Sequence, residues 1–401
     1  MLDLEKALKI VLRETPVKGS ELVKLEQACG RILAEDVVTD RDMPPFDRSQ
    51  MDGYALVSED NTSTPLRLKI VGESAAGKGW NGILKKSFCV RIMTGARVPA
   101  GADSVQKLEL VKEENGFATF LEKPNKGQFI VKKGAEIKKG KVVLQKGDKL
   151  TPFNISCAAS FGKSRIRVAK KPKLAIIATG TEIVPVNKTP LIDQIRNSNS
   201  SALSALSGSF AADCVIEETA GDDIKDIIAK LKKAAKAADI IITTGGVSVG
   251  KYDLTKAALK EIKAEIFFDK VCLKPGKPTV FARRGDRLFF GLPGNPVSAI
   301  VTFLIFVRAA IMKMQAARQV GLRERKAILA KEAKAAAERD TFLPGLTFTD
   351  DAARLCVNPV SWIGSSDFIG LARSNALIYL PRGTKLNTGD LCKIYPLEEF
   401  A

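Results

Sequence analysis

The 401-residue chain contains no histidine. Histidine is the side chain whose ordinary pKa lies closest to neutral pH, and it is also the commonest metal ligand. Its absence therefore excludes Ser-His and Cys-His nucleophile pairs and every histidine-ligated metal site. Acid-base or metal chemistry in this chain must use carboxylates, lysines, hydroxyls or backbone groups.

Cysteine pairs and long apolar runs are lacking as well. The seven cysteines are scattered without a C-x-x-C pair, which argues against a disulfide framework and against a structural zinc site. No uninterrupted apolar run approaches the ~20 residues of a membrane span. The N-terminus mixes acids into its apolar residues and has no cleavage site. We therefore expect a globular, cytoplasmic chain with reduced thiols and no membrane partner.

Aromatic residues are scarce, whereas positive charge is abundant. Only 6% of residues are aromatic, which offers little for stacking on nucleic-acid bases. The formal net charge of +18 attracts anions, so either nucleic acid or a phosphorylated small molecule is a candidate partner. A generally basic surface without a specific partner is the alternative. Because no recognition motif accompanies the charge, we expect no specific nucleic-acid partner.

The chain is long enough for two to four domains. Helical patterns at residues 3–14 and in KLEQACGRILAEDV are followed by short apolar runs such as LRLKIVG, FCVRIMTG and FATFLE, typical of strands. LTPFNISCAASFG predicts a helix that ends at Gly162, before a strand and the linker AKKPK. We predict a discontinuous N-terminal helical and linker domain (1–42 and 144–169), a β-rich domain (43–143), an α/β domain (170–318) and a C-terminal β domain (319–401).

Three stretches of the predicted α/β domain show a buried strand, a glycine-containing loop and a helix in that order. They are KLAIIATGTEIV, ADIIITTGGVSVGKYDLTKAALKEI and RLFFGLPGNPVSAIVTFLIF. This alternation predicts a mostly parallel sheet, whose ligands bind at the carboxyl ends of the strands. Neither a P-loop nor a G-x-G-x-x-G fingerprint is present. The three loops should therefore open on one edge of the sheet and form its ligand site.

Each loop also has a purely structural explanation. Gly245, Gly246 and Gly250 let the backbone approach an anion, but they also suit a tight turn in which Asp253 caps the next helix. Asn295 would cap its helix, with Pro296 at the first helical position.

Charged residues near the predicted edge have the same two interpretations. Lys270, Lys274 and Lys277 surround a Pro-Gly turn and suit phosphate or oxyanion contacts, although they could simply be solvated. Asp222 and Asp223 precede a helix and could serve only as its caps.

The stretch MPPFDRSQMDGYAL carries Asp47 and Asp52. Either aspartate could be a turn acceptor, with Asp47 in an Asx-turn. The functional alternative is a role as oxygen ligand for a hard cation such as Mg²⁺, which favours carboxylates together with substrate phosphate. Without histidine, the scattered aspartates and Glu182 are the natural ligands.

Six motifs occur in order between residues 44 and 299, and the match to which they belong runs from about residue 5 to residue 396. They are PPFDRSQMDGYAL, RIMTGARVPAGAD, ATGTEI, TTGGVSVGKYDLTK, LKPGKPTVF and GLPGNPVSA. Together they resemble the molybdopterin molybdenumtransferase family, which includes MoeA and the E domain of gephyrin. The resemblance implies an α/β multidomain fold: a central, mostly parallel molybdopterin-binding-like domain, a β-rich domain, a small α-containing N-terminal domain and a C-terminal domain of β-barrel type.

The resemblance also implies an activity and partners. The expected enzyme inserts molybdate into the dithiolene of adenylylated molybdopterin and releases AMP, assisted by a divalent cation such as Mg²⁺. It is expected to be a homodimer whose active site is shared between the α/β domain of one subunit and the β domain of the other. The adenylyltransferase that makes the substrate is a further expected partner.

Matching positions imply the roles of individual residues. Asp52, Glu182, Asp222 and Asp253 take catalytic positions, and three of them, Asp52, Glu182 and Asp253, are the expected metal ligands. The substrate-binding positions are Thr94, Gly95, Glu136, Gly245, Gly246, Ser248, Lys270, Lys274, Lys277, Pro293, Asn295 and Pro296. The chain departs from the family pattern at Arg48, Arg97, Ala135, Glu136, Pro344, Ile369 and Gly370, which affects detailed contacts more than the overall reaction.

Two other functions compete with this interpretation. One is the molybdopterin adenylyltransferase of the same pathway, a single domain that resembles residues 170–318. Against it, the loop reads GGVSVGKYD where a GGTG form is expected, and the chain has further domains. The other is a non-catalytic scaffold or polyanion-binding protein, suggested by the net charge. The helix propensity of ERKAILAKEAKAAAERD conflicts with the family pattern, and we expect strands there.

Overall fold

The computed structural model describes residues 1–60, 65–246 and 254–397. The chain forms two compact units. The first, here called the α/β-barrel unit, comprises Met1–Glu35, Gln145–Ile155 and Ser164–Ala401. The second, here called the β-rich unit, comprises Asp36–Leu144 and Ser156–Lys163. The seven cysteines are free, in agreement with the prediction of reduced thiols.

The α/β-barrel unit begins with helix α1 (Leu4–Glu14), which Asp3 caps by accepting from the N–H groups of Glu5 and Lys6. Strand β1 (Ser20–Lys24) follows and pairs antiparallel with Arg165–Ala169. The second helix predicted in KLEQACGRILAEDV is wrong, because this stretch contains only a 3-10 turn at Leu25–Gln27. Gly30 then takes a positive φ of 79°, and the following residues pair with other segments as single bridges.

The β-rich unit contains the next ten strands. They are β2 (Val37–Val38), β3 (Arg48–Ser49), β4 (Gly53–Leu56), β5 (Leu66–Ser74), β6 (Phe88–Ile92), β7 (Ser104–Lys107), β8 (Val111–Glu114), β9 (Phe117–Phe120), β10 (Ile130–Val131) and β11 (Val142–Leu144), with 3-10 turns at Ser58–Asp60 and Leu108–Leu110. Six of them form one sheet in the order β7-β4-β6-β5-β9-β8. Tyr54 and Phe120 meet edge to face in its core at a centroid distance of 6.0 Å. The predicted β-rich region, 43–143, contains these strands except β2 and the last residue of β11.

Helix α2 (Pro152–Ser160) and strand β12 (Arg165–Ala169) follow. Gly162, between them, has a φ of 74°, a left-handed conformation that costs glycine nothing and that terminates helices. The predicted helix end at Gly162 is therefore confirmed to within two residues.

The α/β core is built from strands and helices in alternation. Its elements are β13 (Lys173–Thr179), β14 (Ile183–Val184), β15 (Ile195–Arg196), α3 (Ser198–Ser209), β16 (Asp213–Ala220), α4 (Ile224–Ala237), β17 (Ile240–Thr244), α5 (Leu254–Glu261), β18 (Glu265–Phe268), β19 (Leu273–Lys274), β20 (Val280–Arg284), β21 (Arg287–Leu292), α6 (Pro296–Thr302), a π-helical turn (Phe303–Val307) and α7 (Arg308–Met314). The sheet order is β16-β13-β17-β21-β20-β18, with its first four strands parallel. The mostly parallel sheet is confirmed, and the sequence patterns missed its edge strand β16.

The segment Pro296–Met314 is the one helix of the described ranges whose length and composition would allow it to cross a membrane, with a mean hydropathy of 1.9. In the folded chain 89% of this stretch is buried. Its residues belong to the main hydrophobic core, together with Ile242 and Phe290 of the sheet. An interior helix of a globular fold has the same composition, so the burial favours that interpretation.

The last elements include the five strands of a closed barrel. They are β22 (Arg325–Leu329), β23 (Ala333–Lys334), β24 (Asp340–Thr349), β25 (Leu355–Pro359), α8 (Phe368–Ala372), β26 (Ala376–Leu380), β27 (Lys385–Leu386) and β28 (Leu391–Pro396). Strands β24-β25-β22-β28-β26 pair in that order, and β24 also pairs with β26, so five strands form a closed ring. ERKAILAKEAKAAAERD forms β22 and β23 rather than a helix, which confirms the expectation of strands there.

We predict that Gly53→Ala destabilises the β-rich unit. A Cβ atom at Gly53 would lie 1.9 Å from the carbonyl oxygen of Gln106 on the neighbouring strand, so the two strands would have to separate. The expected loss is about 2 kcal/mol in the free energy of unfolding, measured by urea denaturation. Gly19→Ala is the matched control, because nothing lies within 4 Å of its Cβ position. Equal stability of the two variants would contradict the prediction.

Candidate functional site

The carboxyl ends of the parallel strands bring several predicted site residues to one edge of the α/β sheet. Asp222 follows β16, Glu182 follows β13, Gly245 and Gly246 follow β17, and Pro293 follows β21. Since the strands neighbour one another in the order β16-β13-β17-β21, these residues form a row along the edge. The row begins with acids and continues into glycines.

The acidic end of the row contains Glu182, Asp222 and Asp223. Asp223 caps α4 by accepting from the Lys225 N–H at 3.1 Å. Asp222 instead accepts from the hydroxyl of Thr181 at 3.1 Å. Glu182 is exposed, and its carboxylate lies over Gly180, where a Cβ would be 2.3 Å from Oε2. The structure thus separates the capping aspartate from two carboxylates that remain accessible.

The glycine turn after β17 lies against Thr179. Gly245 and Gly246 have φ values of 90° and 63°, and a Cβ on Gly245 would lie 2.5 Å from the Thr179 carbonyl oxygen. Only glycine fits here without displacing the neighbouring strand. The predicted residues Ser248, Gly250 and Asp253 lie outside the described residues, so their roles stay predictions.

Buried hydroxyls surround this turn. The Oγ1 atoms of Thr243, Thr244 and Thr255 have no hydrogen-bond partner within the described parts of the chain, and all three residues are at most 2% exposed. Buried polar atoms without partners are rare in folded proteins and often mark a ligand or water site. One of them, Thr255 Oγ1, lies beside the turn, 3.0 Å from the Cβ position of Gly246, where it can bond a polar ligand.

A cleft of about 550 Å³ adjoins the row and lies between the sheet edge and the barrel, both within the α/β-barrel unit. Its lining includes the predicted residues Lys274, Lys277, Pro293 and Asn295. Arg339, Trp362 and Ser365 of the C-terminal region complete it. No aspartate or glutamate is among the described lining residues, so three cationic side chains face one cavity. Such a cavity attracts anions.

Lys270 and Pro296 are not among the residues that line the cleft. Lys270 lies four residues before Lys274, and its backbone carbonyl accepts from Leu2 N at 2.9 Å. Pro296 occupies the first position of α6, as predicted, where a missing N–H is not needed.

Asn295 differs from its expected role as a helix cap. It occupies the N-cap position of α6, but its side chain makes no capping bond. Its Nδ2 donates instead to Ser365 Oγ at 2.8 Å, and the Ser365 carbonyl accepts from Val297 N at 3.1 Å. The loop before α8 thus accepts, through the Ser365 carbonyl, from a backbone N–H in the first turn of α6. The side-chain amide of Asn295 bonds to Ser365 instead of capping the helix, and it links two walls of the cleft.

A second cluster lies in the β-rich unit. Asp52 Oδ1 accepts from Thr94 N at 2.6 Å. Donation by the backbone and the side chain of Thr94 lowers the pKa of Asp52 below its usual value. Gly95, with a φ of 82°, donates its N–H to the Ser49 carbonyl at 2.9 Å. The structure therefore joins two predicted site residues, Asp52 and Thr94, into one contact.

Two residues at which the chain departs from the family pattern contact each other in this unit. Arg48 Nη2 lies 3.2 Å from Glu136 Oε1, an exposed ion pair. Arg97 donates to the carbonyl of Trp80 at 3.2 Å and to Asn81 Oδ1 at 2.5 Å. Glu136 is thus partnered by an arginine of its own chain.

Asp47 forms no Asx-turn with its immediate neighbours, contrary to expectation. Its carboxylate accepts from Lys132 Nζ at 2.7 Å and from Lys133 N at 2.9 Å. Burial by itself would raise the pKa of Asp47, but these two donors outweigh it and lower the pKa overall. Asp47 therefore bonds to a loop 85 residues further along the chain. The local turn pattern could not predict this long-range contact.

Hard oxygen donors suited to Mg²⁺ are present at the acidic end of the row. Mg²⁺ usually keeps several waters and takes one or two carboxylates plus substrate phosphate, so it does not need a dedicated protein cage. Glu182 and Asp222 are exposed carboxylates that could act in this way. Within the described ranges no group of three or more His, Cys, Asp or Glu residues is arranged to hold a metal ion. Glu182 and Asp222 are therefore suitable ligands for a Mg²⁺ ion that is also bound by the phosphate of a substrate.

Sequence patterns missed Arg339, Trp362 and Ser365. They come from the barrel region, more than 60 residues beyond the lysine loop, and no spacing rule links them to it. The parallel pairing of Leu273 with Asp340 and of Lys274 with Thr341 brings the regions together. The signals available in the sequence were a cation just before a strand and one of only two tryptophans.

Comparison with known proteins defines the class to which this fold and site belong. Residues 2–162 match the MoeA N-terminal region (domain I and II), residues 175–313 match a probable molybdopterin binding domain, and residues 326–397 match the MoeA C-terminal region (domain IV). The Pyrococcus horikoshii molybdopterin biosynthesis MoeA protein has a similar structure, with a TM-score of 0.85 and 29% identity over 99% of this chain and 100% of that one.

Curated relatives match over nearly the whole chain. The molybdopterin molybdenumtransferase of Haemophilus influenzae is 35% identical over 405 residues, 100% of both chains. That of Bacillus subtilis is 35% identical over 392 residues, 96% of this chain and 91% of the relative. The chain belongs to the molybdopterin molybdenumtransferase family, and the fold and family expected from its motifs are confirmed.

We predict that Asp47→Ala lowers the stability of the β-rich unit in a pH-dependent way. The partly exposed pair with Lys132 and the bond from Lys133 N should together contribute about 1 kcal/mol. Because the folded-state pKa lies below the ordinary value of 3.8, this contribution is present above about pH 5 and disappears as the pH falls through the folded-state pKa.

Urea denaturation of wild type and Asp47→Ala between pH 3 and pH 7 measures the effect. The two stability curves should converge at low pH. Glu109→Ala, a substitution of an exposed acid in the same unit, is the control and should show no such convergence. A difference that stays constant with pH would contradict the prediction.

Proposed function

We propose that this chain inserts molybdate into the dithiolene of adenylylated molybdopterin and releases AMP. Membership of the family makes it a transferase of molybdenum cofactor biosynthesis, and it disfavours the alternative of an adenylyltransferase. The single observation that carries the detailed proposal is the cleft next to the glycine turn, which has Lys274, Lys277 and Arg339 and no acid among its described lining residues. Molybdate is a small dianion, and the cleft offers it three cations.

The residues of the sheet edge have distinct roles in this proposal. Gly245 and Gly246 allow the backbone to approach the pyrophosphate, where N–H groups can donate to it. Lys274, Lys277 and Arg339 hold molybdate beside the dithiolene. Asn295, fixed by its bond to Ser365, is held rigidly at the boundary between the two parts of the site.

The acids serve the phosphate end of the substrate. Glu182 and Asp222, the latter oriented by Thr181, would hold Mg²⁺. When bound, this cation polarises the scissile phosphoryl group and offsets its negative charge. The residues of the chain itself orient the pyrophosphate and keep the leaving AMP in line with the attacking oxygen.

The proposal includes a shared active site in a homodimer. Asp52, whose carboxylate accepts from Thr94 N at 2.6 Å, is exposed in the β-rich unit. We propose that this carboxylate completes the pocket of the partner subunit. The remaining expectations, a cytoplasmic location and contact with the adenylyltransferase that supplies the substrate, belong to the same proposal.

Purified protein should release AMP from adenylylated molybdopterin when molybdate and Mg²⁺ are present. Lys277→Ala should lower molybdate affinity by about tenfold, because one charge-assisted contact is lost. Equilibrium dialysis at two salt concentrations measures this affinity. Lys232→Ala, which removes an exposed lysine of α4, controls for net charge. Substrate binding without AMP release by the wild type would refute the proposed reaction.

Complementation between Asp52→Ala and Lys277→Ala tests the shared site. Both variants should fold; Asp52→Ala should be inactive, and Lys277→Ala should keep about a tenth of wild-type activity at subsaturating molybdate. A heterodimer of the two, isolated with two affinity tags, should regain about half of wild-type activity because one of its two sites is intact.

The matched control pairs two differently tagged chains that both carry Asp52→Ala. Neither site of that dimer would be complete, so activity should stay absent. Recovery in the control, or a stable monomer with full activity, would refute the shared site.

A further inference from the structure

Trp362 lies between two cavities of the α/β-barrel unit. One is the cationic cleft described above. The other, here called the barrel groove, has a volume of about 660 Å³ and is lined by residues that include Lys331, Leu346, Asn358 and Arg373. Trp362 lines both cavities, so a ligand in the cleft can extend past the indole into the groove.

Trp362 packs closely against Gly370. Gly370, buried in α8, would place a Cβ 3.0 Å from the Cβ of Trp362. Any side chain at this position would press against the first carbon of the tryptophan side chain. The glycine therefore gives the tryptophan room to pack against the hydrophobic core while it lines both cavities.

The barrel groove combines an apolar floor with hydrogen-bond donors. Leu346 is 47% exposed beside Pro359 and Val360. Lys331 and Arg373 are exposed lining residues, and neither forms an ion pair within the described ranges, whereas the acid Glu332 is paired with Lys385 at 2.8 Å. Such a groove suits a flat ring that carries acceptor atoms.

Asn358 adds a further polar group to the groove. Its Oδ1 is buried without a hydrogen-bond partner within the described residues. A buried carbonyl oxygen without a donor destabilises the fold, so a ligand amino group that donated to it would remove this penalty. The amide also has donor atoms, so it can pair with a ring that presents a donor beside an acceptor.

The order of sites along the molecule matches the order of groups in the proposed substrate. The acids and the glycine turn come first, the cationic cleft next, and the barrel groove last. Gly294, between the cleft residues Pro293 and Asn295, would place a Cβ 3.4 Å from Gly245, so turn and cleft are continuous. In adenylylated molybdopterin the pyrophosphate lies between the adenosine and the dithiolene, and the pterin lies beyond the dithiolene.

We propose that the barrel groove, with Trp362 as its stacking surface, binds the pterin ring of the substrate. The inference rests on the proposed function, because it assumes pyrophosphate at the glycine turn and molybdate in the cationic cleft. The pterin ring has an amino group and a ring N–H that can reach Asn358, and a carbonyl oxygen that can accept from Arg373 or Lys331. Trp362 is thus a specificity-determining residue.

Binding of 6-hydroxymethylpterin and of AMP, each measured by equilibrium dialysis, tests the assignment. Trp362→Ala should weaken pterin binding by about tenfold, since stacking on an aromatic side chain is worth 1–3 kcal/mol. Trp362→Phe should restore most of the affinity. AMP binding should change less than twofold in both variants.

Arg373→Ala provides a second variant with an exposed side chain, so that the test survives if Trp362→Ala does not fold. It should weaken pterin binding severalfold. Lys393→Ala, which removes an ion pair on another part of the barrel, is its matched control and should have no effect.

Unchanged pterin binding in Trp362→Ala and Arg373→Ala would overturn the assignment. Weakened AMP binding with unchanged pterin binding would overturn it as well, and would place the adenine in the groove. Failure of the proposed function can be distinguished from failure of the pterin assignment. The former appears as absence of AMP release by the wild type, and it does not depend on how the variants bind pterin. With the complete substrate, Trp362→Ala should raise KM more than it lowers kcat.

Discussion

The candidate site depends on one short backbone pairing. Strand β19 runs parallel to the start of β24, with Leu273 opposite Asp340 and Lys274 opposite Thr341. This pairing places the lysine loop of the α/β core beside Arg339 and the barrel. Asp340 is 6% exposed and accepts from Arg382 N at 3.0 Å, so the junction is also anchored on the barrel side. Without the junction, the cations would lie on separate surfaces.

The chemistry of the site follows from its charges. A chain without histidine cannot change the charge of its binding cleft near neutral pH through imidazole. Lysine and arginine keep their charge there, and accessible carboxylates stand at the other end of the sheet edge. The site therefore has carboxylates at one end of the sheet edge and cationic side chains in the cleft at the other. This arrangement suits a substrate whose phosphate is bound with a cation at the first end and whose anionic acceptor group lies in the cleft.

Local patterns predicted elements well where the hydrophobic period was strong and failed where pairing partners were distant. The buried strands β13, β17 and β21 and the helices after them followed from apolar runs and glycine loops. KLEQACGRILAEDV failed because its extended residues pair with segments more than 100 residues away. KEAKAAAERD favours a helix by propensity alone, but Ala333 and Lys334 pair with Leu386 and Lys385. Such long-range pairing outweighs a helix propensity of a few tenths of a kcal/mol per residue.

The sequence by itself determined the parallel α/β core, the absence of imidazole chemistry, the glycine turns and the family. Only the tertiary structure decided which charged residues share a cavity. It separated Asp222 from the capping Asp223, diverted Asn295 from capping to Ser365, and placed Arg339 and Trp362 beside the lysine loop. The physical reason is that element formation depends on residues a few positions apart, whereas a binding site depends on long-range strand pairing, which no local pattern encodes.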